Sequence, residues 1–300
     1  MRFLDDLRQC FTTIPNMFAN QPVKVTVAAE PIRDAAPNAE HLPVPPVQDD
    51  FYRHSRLQDI GRWHINDWVR EVARSLPPGT RMLDAGAGEC VYKPLFAHCE
   101  YTSVDMAIGT QAWNYTQLDS VASLDRLPMR NGTFDAVLCT QTLEHLEWPR
   151  EAVAEMHRVL KPGGALYLSA PMAHCEHQQP YDFFRYTSFG LRSILTHAGF
   201  TKDNITIIPF GGLFTRLAYE LPRTQMIFPP SGARGGDFHW RGALLLPVRL
   251  LGLLYVRLSQ RVFLYLDRFD TSKNDPFGWS LIARKSDVGT TIQRDAPRSS

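Results

Sequence analysis

From residue 80 onward the chain alternates short apolar runs with stretches of helical spacing. Arg81–Ala85 is apolar up to Asp84, Tyr101–Val104 is a second run closed by Asp105, and a third is expected within Tyr115–Val121. Phe134–Thr140 is almost continuously apolar, as a strand buried on both faces should be. Arg150–Leu160 then sets Val153, Met156, Val159 and Leu160 inward at helical spacing, and Lys161-Pro162-Gly163-Gly164 turns the chain into strand Ala165–Ser169. A helix over Ser188–Ala198, ended by Gly199, leads to strand Asn204–Pro209, and a last strand is expected at Gly278–Ala283. Upstream, Phe51–Ser75 reads as a helix with Trp63, Ile65, Trp68, Val69 and Val72 roughly on one face, stopped by Pro77-Pro78-Gly79. The alternation predicts a doubly wound α/β fold whose ligand lies at the carboxyl ends of the strands.

The same pattern divides the chain. Residues 1–50 show no clear period and are rich in proline and alanine between Pro31 and Pro46, which reads as a partly disordered extension. The core runs over 51–209, an amphipathic helical insertion over 210–277, the last core strand over 278–285, and a flexible tail over 286–300.

The most specific local feature is the turn Asp84-Ala85-Gly86-Ala87-Gly88-Glu89. Two glycines at a strand end permit backbone conformations closed to other residues and close approach of a ligand. A helix opening just after the turn would add free N–H groups at a positive dipole end. The dinucleotide pattern G-x-G-x-x-G fails here, because its third glycine position is Val91. Asp84, two residues before the first glycine, would repel a pyrophosphate but suits a ligand with a positive centre and no phosphates, such as S-adenosyl-L-methionine. Asp105 lies 17 residues after Gly88 at the tip of the next strand, where a carboxylate can accept from both ribose hydroxyls. Taken singly, the turn is also an ordinary strand-to-helix connection and Asp105 an ordinary exposed loop residue.

Composition adds boundaries only. With 44% hydrophobic and 21% charged residues, the 300-residue chain is an ordinary globular one. Its net charge of +1 gives no global attraction to nucleic acid, and no such partner is expected. Five cysteines without a C-x-x-C pair read as reduced thiols. Acids in Met1–Asp6, where a signal peptide needs an apolar run, place the active domain in the cytoplasm as an expectation. No feature points to a particular oligomer.

The turn, the strand-end acid, Leu127-Pro128 ahead of Phe134-Asp135-Ala136-Val137, Leu143-Glu144-His145 and Arg158-Val159-Leu160-Lys161-Pro162-Gly163-Gly164 occur in an order that resembles the class I S-adenosylmethionine-dependent methyltransferases. The type 11 methyltransferase domain is the most similar, over about residues 80–170. The resemblance implies a Rossmann-like sheet, mostly parallel with an antiparallel last strand. It implies S-adenosyl-L-methionine as cofactor, with Asp84, Ala85, Gly86 and Gly88 on its methionine side, Asp105 on the ribose and Met106 against the adenine. Ser123 and Leu124, with Asp125, would flank the adenine ring, and Thr140, Gln141 and His145 would close the site. Two positions depart from the family: Cys90 replaces its next glycine, and Ser123 its adenine-binding acid. A non-catalytic module that binds this cofactor is the alternative, with a dinucleotide oxidoreductase behind it.

The segment His177-Gln178-Gln179-Pro180-Tyr181-Asp182-Phe183-Phe184-Arg185-Tyr186-Thr187 resembles a segment of bacterial type 11 enzymes, some of them in glycan or lipid pathways. That resemblance implies a small-molecule or lipid-linked acceptor, methylated at oxygen. Methyl transfer from a sulfonium asks mainly for alignment, and an alcohol must also lose a proton. His177 is the preferred catalytic base, with His145 and His174 as the other candidates. His145 equally reads as a residue packed on the cofactor, and the loop histidines as exposed ones. Asp182 and Arg185 read either as an acceptor clamp or as an ion pair holding the loop. Glu144, His145, His174, Cys175 and His177 match no standard metal spacing, so no metal is expected. In residues 240–268, Arg249, Arg257, Arg261 and Arg268 fall within a sector of about 120° on a helix that is otherwise apolar. Such a stripe predicts a helix lying on the inner face of a membrane, against the alternative of an apolar face packed on the core or on a second subunit.

Overall fold

The computed structural model describes residues 56–57, 59–109, 113–227, 233–234, 237–238 and 245–287. All belong to the compact unit Asp34–Ser300. The expected N-terminal extension, the start of the first helix at Phe51 and the end of the tail lie outside the described residues.

Helix α1, Ile60–Ser75, begins where Asp59 accepts a hydrogen bond from the Arg62 amide at 2.9 Å. Strands β1 (Arg81–Ala85), β2 (Glu100–Asp105), β3 (Ser120–Val121), β4 (Phe134–Thr140) and β5 (Leu160–Pro171) are mutually parallel. After them come β6 (Ile205–Pro209) and β7 (Gly278–Arg284), and the sheet runs 3-2-1-4-5-7-6. β7 is antiparallel to both of its neighbours, as the resemblance implies. Helix α2 (Pro149–Val159) opens on proline, whose missing N–H costs nothing at that position, and α3 (Ser188–His197) is capped by Thr187.

Strand alternation sends neighbouring residues to opposite faces. Leu83, Val137 and Cys139 pack with α2 and α3 on one side, while Met82, Ala136 and Leu138 pack with α1 on the other. Both faces are covered, so the centres of β1, β4 and β5 are largely apolar, and the doubly wound α/β expectation holds.

Two local expectations fail. No α-helix follows β1: the described chain makes one 3₁₀ turn, Lys93–Phe96, then enters β2. Cys90 sits at φ 57°, outside helical space, and Pro94 lies in the turn, so the helix-dipole argument for the glycine turn falls away. β3 is two residues long and falls within the expected window Tyr115–Val121. The turn expected at Lys161–Gly164 is absorbed into β5, with Gly163 at φ 74° and a register shift opposite β4.

The insertion carries α4 (Leu213–Glu220), a 3₁₀ segment Leu221–Ile227, a short antiparallel pair at 233–238, and α5 (Leu246–Leu266). It is held together internally by Asp267, which accepts from the amides of Gly212 at 3.2 Å and Thr215 at 2.9 Å and pairs with Lys273 at 2.5 Å. The side of α5 facing the protein is the unexpected one. Gln260 is buried and donates to the Ala218 carbonyl at 3.1 Å, and Arg257 donates to the Leu57 carbonyl and to Gln260. Leu250, Leu251, Leu254, Tyr255, Leu258, Val262 and Tyr265 point outward, with Leu251 67% exposed. The arginines therefore do not form one solvent-facing stripe, and the apolar residues divide, with Val256, Phe263 and Leu264 packed inward and most of the leucines outside.

Candidate active site

The site is assembled from the ends of β1, β2, β4 and β5. Asp84, at the end of β1, is 1% exposed. Its Oδ2 accepts from the Tyr101 hydroxyl at 2.6 Å, while Oδ1 is buried without a hydrogen-bond partner. Burial pushes its pKa up to about 7, the Tyr101 hydrogen bond opposes this, and the nearby Asp105 charge adds to the rise. An acid so placed is poised to receive a cation. Ala85 lies in the core beside it.

Gly86 (φ 83°) and Gly88 (φ 53°) carry the backbone over the strand end. Asp105 stabilises the turn: its Oδ2 accepts from the Gly88 amide at 3.0 Å and its Oδ1 from the Ala107 amide at 2.8 Å. Each oxygen keeps a further lone pair, so the carboxylate can hold the turn and still accept from a diol. Thr142 bridges the turn to β4, donating towards the Gly86 carbonyl at 3.3 Å and the Thr140 carbonyl at 3.1 Å. Gln141, at φ 50°, directs its amide to the Ser169 hydroxyl at 3.1 Å. Met106 is exposed beyond Asp105, Leu124 is buried in the core, and Ser123 donates to Asp125. Tyr101, Thr142 and Trp113, which lies over Gly88, were not singled out from the sequence. Tyr101 becomes visible once β2 is registered on β1, because a buried tyrosine hydroxyl needs a partner.

These features fit S-adenosyl-L-methionine: an unpartnered carboxylate oxygen for its ammonium group, a bare backbone turn beside it, and a second carboxylate one strand away for its ribose.

Beyond β4 and β5 three imidazoles meet edge to face, His145 with His177 at 4.7 Å and His177 with His174 at 4.6 Å between ring centroids. Nδ1 of His145 lies 2.5 Å from the Tyr181 carbonyl, and burial lowers its pKa. His174 is engaged by Tyr219 and Arg223, and burial, with Arg223 adding to it, lowers its pKa to about 4. Glu144 is fully buried, and its pKa is raised to about 8 by that burial. Asp182 takes two bonds from Arg185, at 2.6 and 2.8 Å, and one from the His177 amide at 2.8 Å. Arg185 spends its other donors on the carbonyls of His174, Cys175 and Phe184. The pair holds the loop, and the acceptor-clamp reading is set aside.

Residues 83–168 match the methyltransferase domain family. This segment is a class I S-adenosylmethionine-dependent methyltransferase domain. The match answers the choice between cofactors: the domain's cofactor is S-adenosyl-L-methionine. An O-methyltransferase of ubiquinone biosynthesis from Pseudomonas aeruginosa is 29% identical over 127 residues, covering 38% of this chain and 52% of that protein. A demethylmenaquinone methyltransferase from Streptomyces avermitilis is 28% identical over 139 residues, 42% of this chain and 57% of that protein. An uncharacterised protein of Synechococcus is 29% identical over 169 residues, 51% of this chain and 39% of that protein. The chain thus spans about half the length of the curated relatives it matches. Among solved structures, a putative sarcosine dimethylglycine methyltransferase from Galdieria sulphuraria aligns at a TM-score of 0.48 and 12% identity, over 76% of this chain and 88% of that one.

Proposed function

We propose that the protein transfers the methyl group of S-adenosyl-L-methionine to an oxygen of a small or lipid-linked acceptor at a membrane surface. The observation that carries this reading is the buried, unpartnered Oδ1 of Asp84 beside the glycine turn. When bound, the cofactor supplies an electrophilic methyl on a sulfonium. Asp84 holds its ammonium group, Asp105 its ribose, and Met106 and Ser123 flank its adenine. The acceptor then enters from the loop after β5, where Tyr181, Phe183 and Phe184 stand exposed as an apolar rim. His177 and His145 sit on that side, next to the hydroxyl that gives up its proton. Alignment of acceptor and methyl supplies much of the rate, and the ordered loop is built to provide it. The relatives named for ubiquinone biosynthesis and demethylmenaquinone methylation support a small-molecule acceptor of quinone type.

The test is calorimetry followed by label transfer. S-adenosyl-L-methionine and its demethylated product are expected to bind one to one, and NAD not at all. Incorporation of labelled methyl into quinone, lipid or glycan extracts then identifies the acceptor class. Binding of NAD in place of S-adenosyl-L-methionine overturns the reading; tight binding with no labelled product favours a non-catalytic binding module.

The outer face of α5 is the proposed membrane contact. Among the described residues no helix is long and apolar enough to cross a membrane, but leucines and tyrosines line one side of α5, with exposed Arg261 beside them. Apolar burial in the headgroup region with basic residues alongside is the way an interfacial helix binds. The full-length protein is expected to sediment with anionic vesicles. The triple variant Leu251→Glu, Leu254→Glu, Leu258→Glu should stay in the supernatant at unchanged thermal stability, since none of the three supports the core. Equal partition of the two proteins, or a dimer that dissociates in the variant, would assign the face to something other than lipid.

A further inference from the structure

We propose that Glu144, His145 and His177 form a binding site for a divalent transition-metal ion on the acceptor side of the sheet. One ligand atom from each of the three residues lies within 4.8 Å of the other two. The residues come from two chain segments, the 3₁₀ turn after β4 and the loop after β5, which the fold brings together.

The buried polar atoms point to a missing partner. Glu144 is 1% exposed, yet its Oε2 has no hydrogen bond, and Nε2 of His145 is also buried and unpartnered. They do not satisfy each other, since His145 Nε2 is 3.9 Å from Glu144 Oε1, beyond hydrogen-bond reach. A buried group left unpaired costs about 1–3 kcal/mol, so two together call for an explanation. A cation between them satisfies both.

The surrounding bonds orient the rings for this role. Nδ1 of His145 sits 2.5 Å from the Tyr181 carbonyl, so it carries the proton and leaves the lone pair on Nε2. Nδ1 of His177 faces the Cys175 carbonyl at 3.2 Å and the Asp182 carboxylate at 3.3 Å, which favours the same tautomer. Ligating histidines are held in this manner, with the second ring nitrogen bonded to a carbonyl or carboxylate. Arg185 adds no free positive charge, because Asp182 takes both ends of its guanidinium.

Two imidazoles and a carboxylate suit zinc, iron or manganese rather than magnesium or calcium. Three protein ligands leave a position open to an outside oxygen. This role, though not the site itself, rests on the methyl-transfer reading: an acceptor hydroxyl at the open position loses its proton to water more readily. Its oxygen then forms the new bond to the methyl carbon, and the C–S bond pair stays on sulfur.

Untagged full-length protein, stripped with a chelator, is titrated with Zn²⁺ by calorimetry and with Co²⁺ by visible absorbance. One equivalent is expected to bind, with affinity at least about tenfold lower in Glu144→Gln and in His177→Ala, since even outer partners of ligands cost that much. His197→Ala, on the exposed side of α3, should bind as wild type. Binding of S-adenosylhomocysteine, measured in parallel, reports whether each variant is folded and separates this site from the cofactor reading. His177 lies on a partly exposed loop, so its variant remains informative should Glu144→Gln misfold. Absence of stoichiometric metal binding, or equal affinity in wild type and variants, overturns the site whatever the cofactor does.

Discussion

Replacing Asp84 by asparagine is expected to weaken S-adenosyl-L-methionine binding by roughly 100-fold, the scale for losing one partner of a buried charge pair, and to stabilise the ligand-free protein at alkaline pH. The two effects have one origin. Burial raises the folded-state pKa of Asp84 from its ordinary 3.8 to about 7, so the folded protein holds the proton more tightly than the unfolded chain. Stability tied to the neutral acid is therefore fully present below pH 4 and is lost as pH rises through 7. Between pH 5 and pH 8 the wild type should lose about 2–3 kcal/mol from this group, and Asp84→Asn should not. The same ionisation helps the ligand. Wild-type affinity should rise as pH passes 7, with proton release on binding below that pH, whereas the asparagine variant should show a flat profile. Chemical unfolding at both pH values and calorimetry in buffers of different ionisation enthalpy measure each part. A stability gap between the two proteins that does not change with pH, or equal affinity for the cofactor, would remove Asp84 from the role assigned to it.

The reason this residue was legible in the sequence, while its partner was not, is geometric. Asp84 closes an apolar run two residues before a glycine, an arrangement visible in one dimension. Tyr101 sits 17 residues on, and only the parallel register of β2 on β1 brings its hydroxyl to the carboxylate. The strands themselves were readable because both faces of the sheet are covered, so β1 and β4 appear as largely apolar runs with the ends expected. β3 could be placed only within a wider window because a two-residue edge strand leaves almost no hydrophobic signature. The missing helix after β1 has a similar cause. Helical spacing shows where apolar residues recur, but cannot foresee that Cys90 takes a left-handed conformation.

The insertion teaches a different lesson. Hydrophobic periodicity separated an arginine side of α5 from an apolar side, and left the apolar side to face either a membrane or another protein surface. In the structure Arg257 and Gln260 find backbone carbonyls on the body of the protein, Val256, Phe263 and Leu264 pack inward beside them, and most of the leucines are left outside. Charge patterning cannot choose between these orientations, because a buried arginine with partners and an exposed one have the same sequence. The acceptor loop repeats the point. Asp182 and Arg185 looked equally suited to a ligand or to each other, and the bidentate pair between them decides it.

Gly86→Ala should damage the site far more than Gly88→Ala, although the sequence presents the two glycines as equals. At Gly86 an added Cβ would lie 2.2 Å from Thr142 Cγ2 and 2.4 Å from Thr142 Oγ1, and the backbone stands at φ 83°. Thr142 cannot swing away cheaply, because its hydroxyl bridges the Gly86 and Thr140 carbonyls and its β-branched side chain has few rotamers. The turn must open instead. Overpacking of about 1–3 kcal/mol and a left-handed alanine at about 1–2 kcal/mol together predict a loss of roughly 2–5 kcal/mol in stability. Because Asp105 holds the same turn through the Gly88 amide, cofactor binding should fall with it, by more than about tenfold, the equivalent of 1.4 kcal/mol. At Gly88 the new Cβ meets only the edge of Trp113 at 3.3 Å, and φ is 53°, so the cost should be nearer 1 kcal/mol. A double-mutant cycle separates the two contributions at Gly86. Thr142→Gly in the Gly86→Ala background removes the clash but not the backbone strain, and should recover about 1–2 kcal/mol beyond the additive expectation. Equal losses at the two glycines, or no coupling to Thr142, would mean that the turn adapts without cost and that its conformation does not set the affinity.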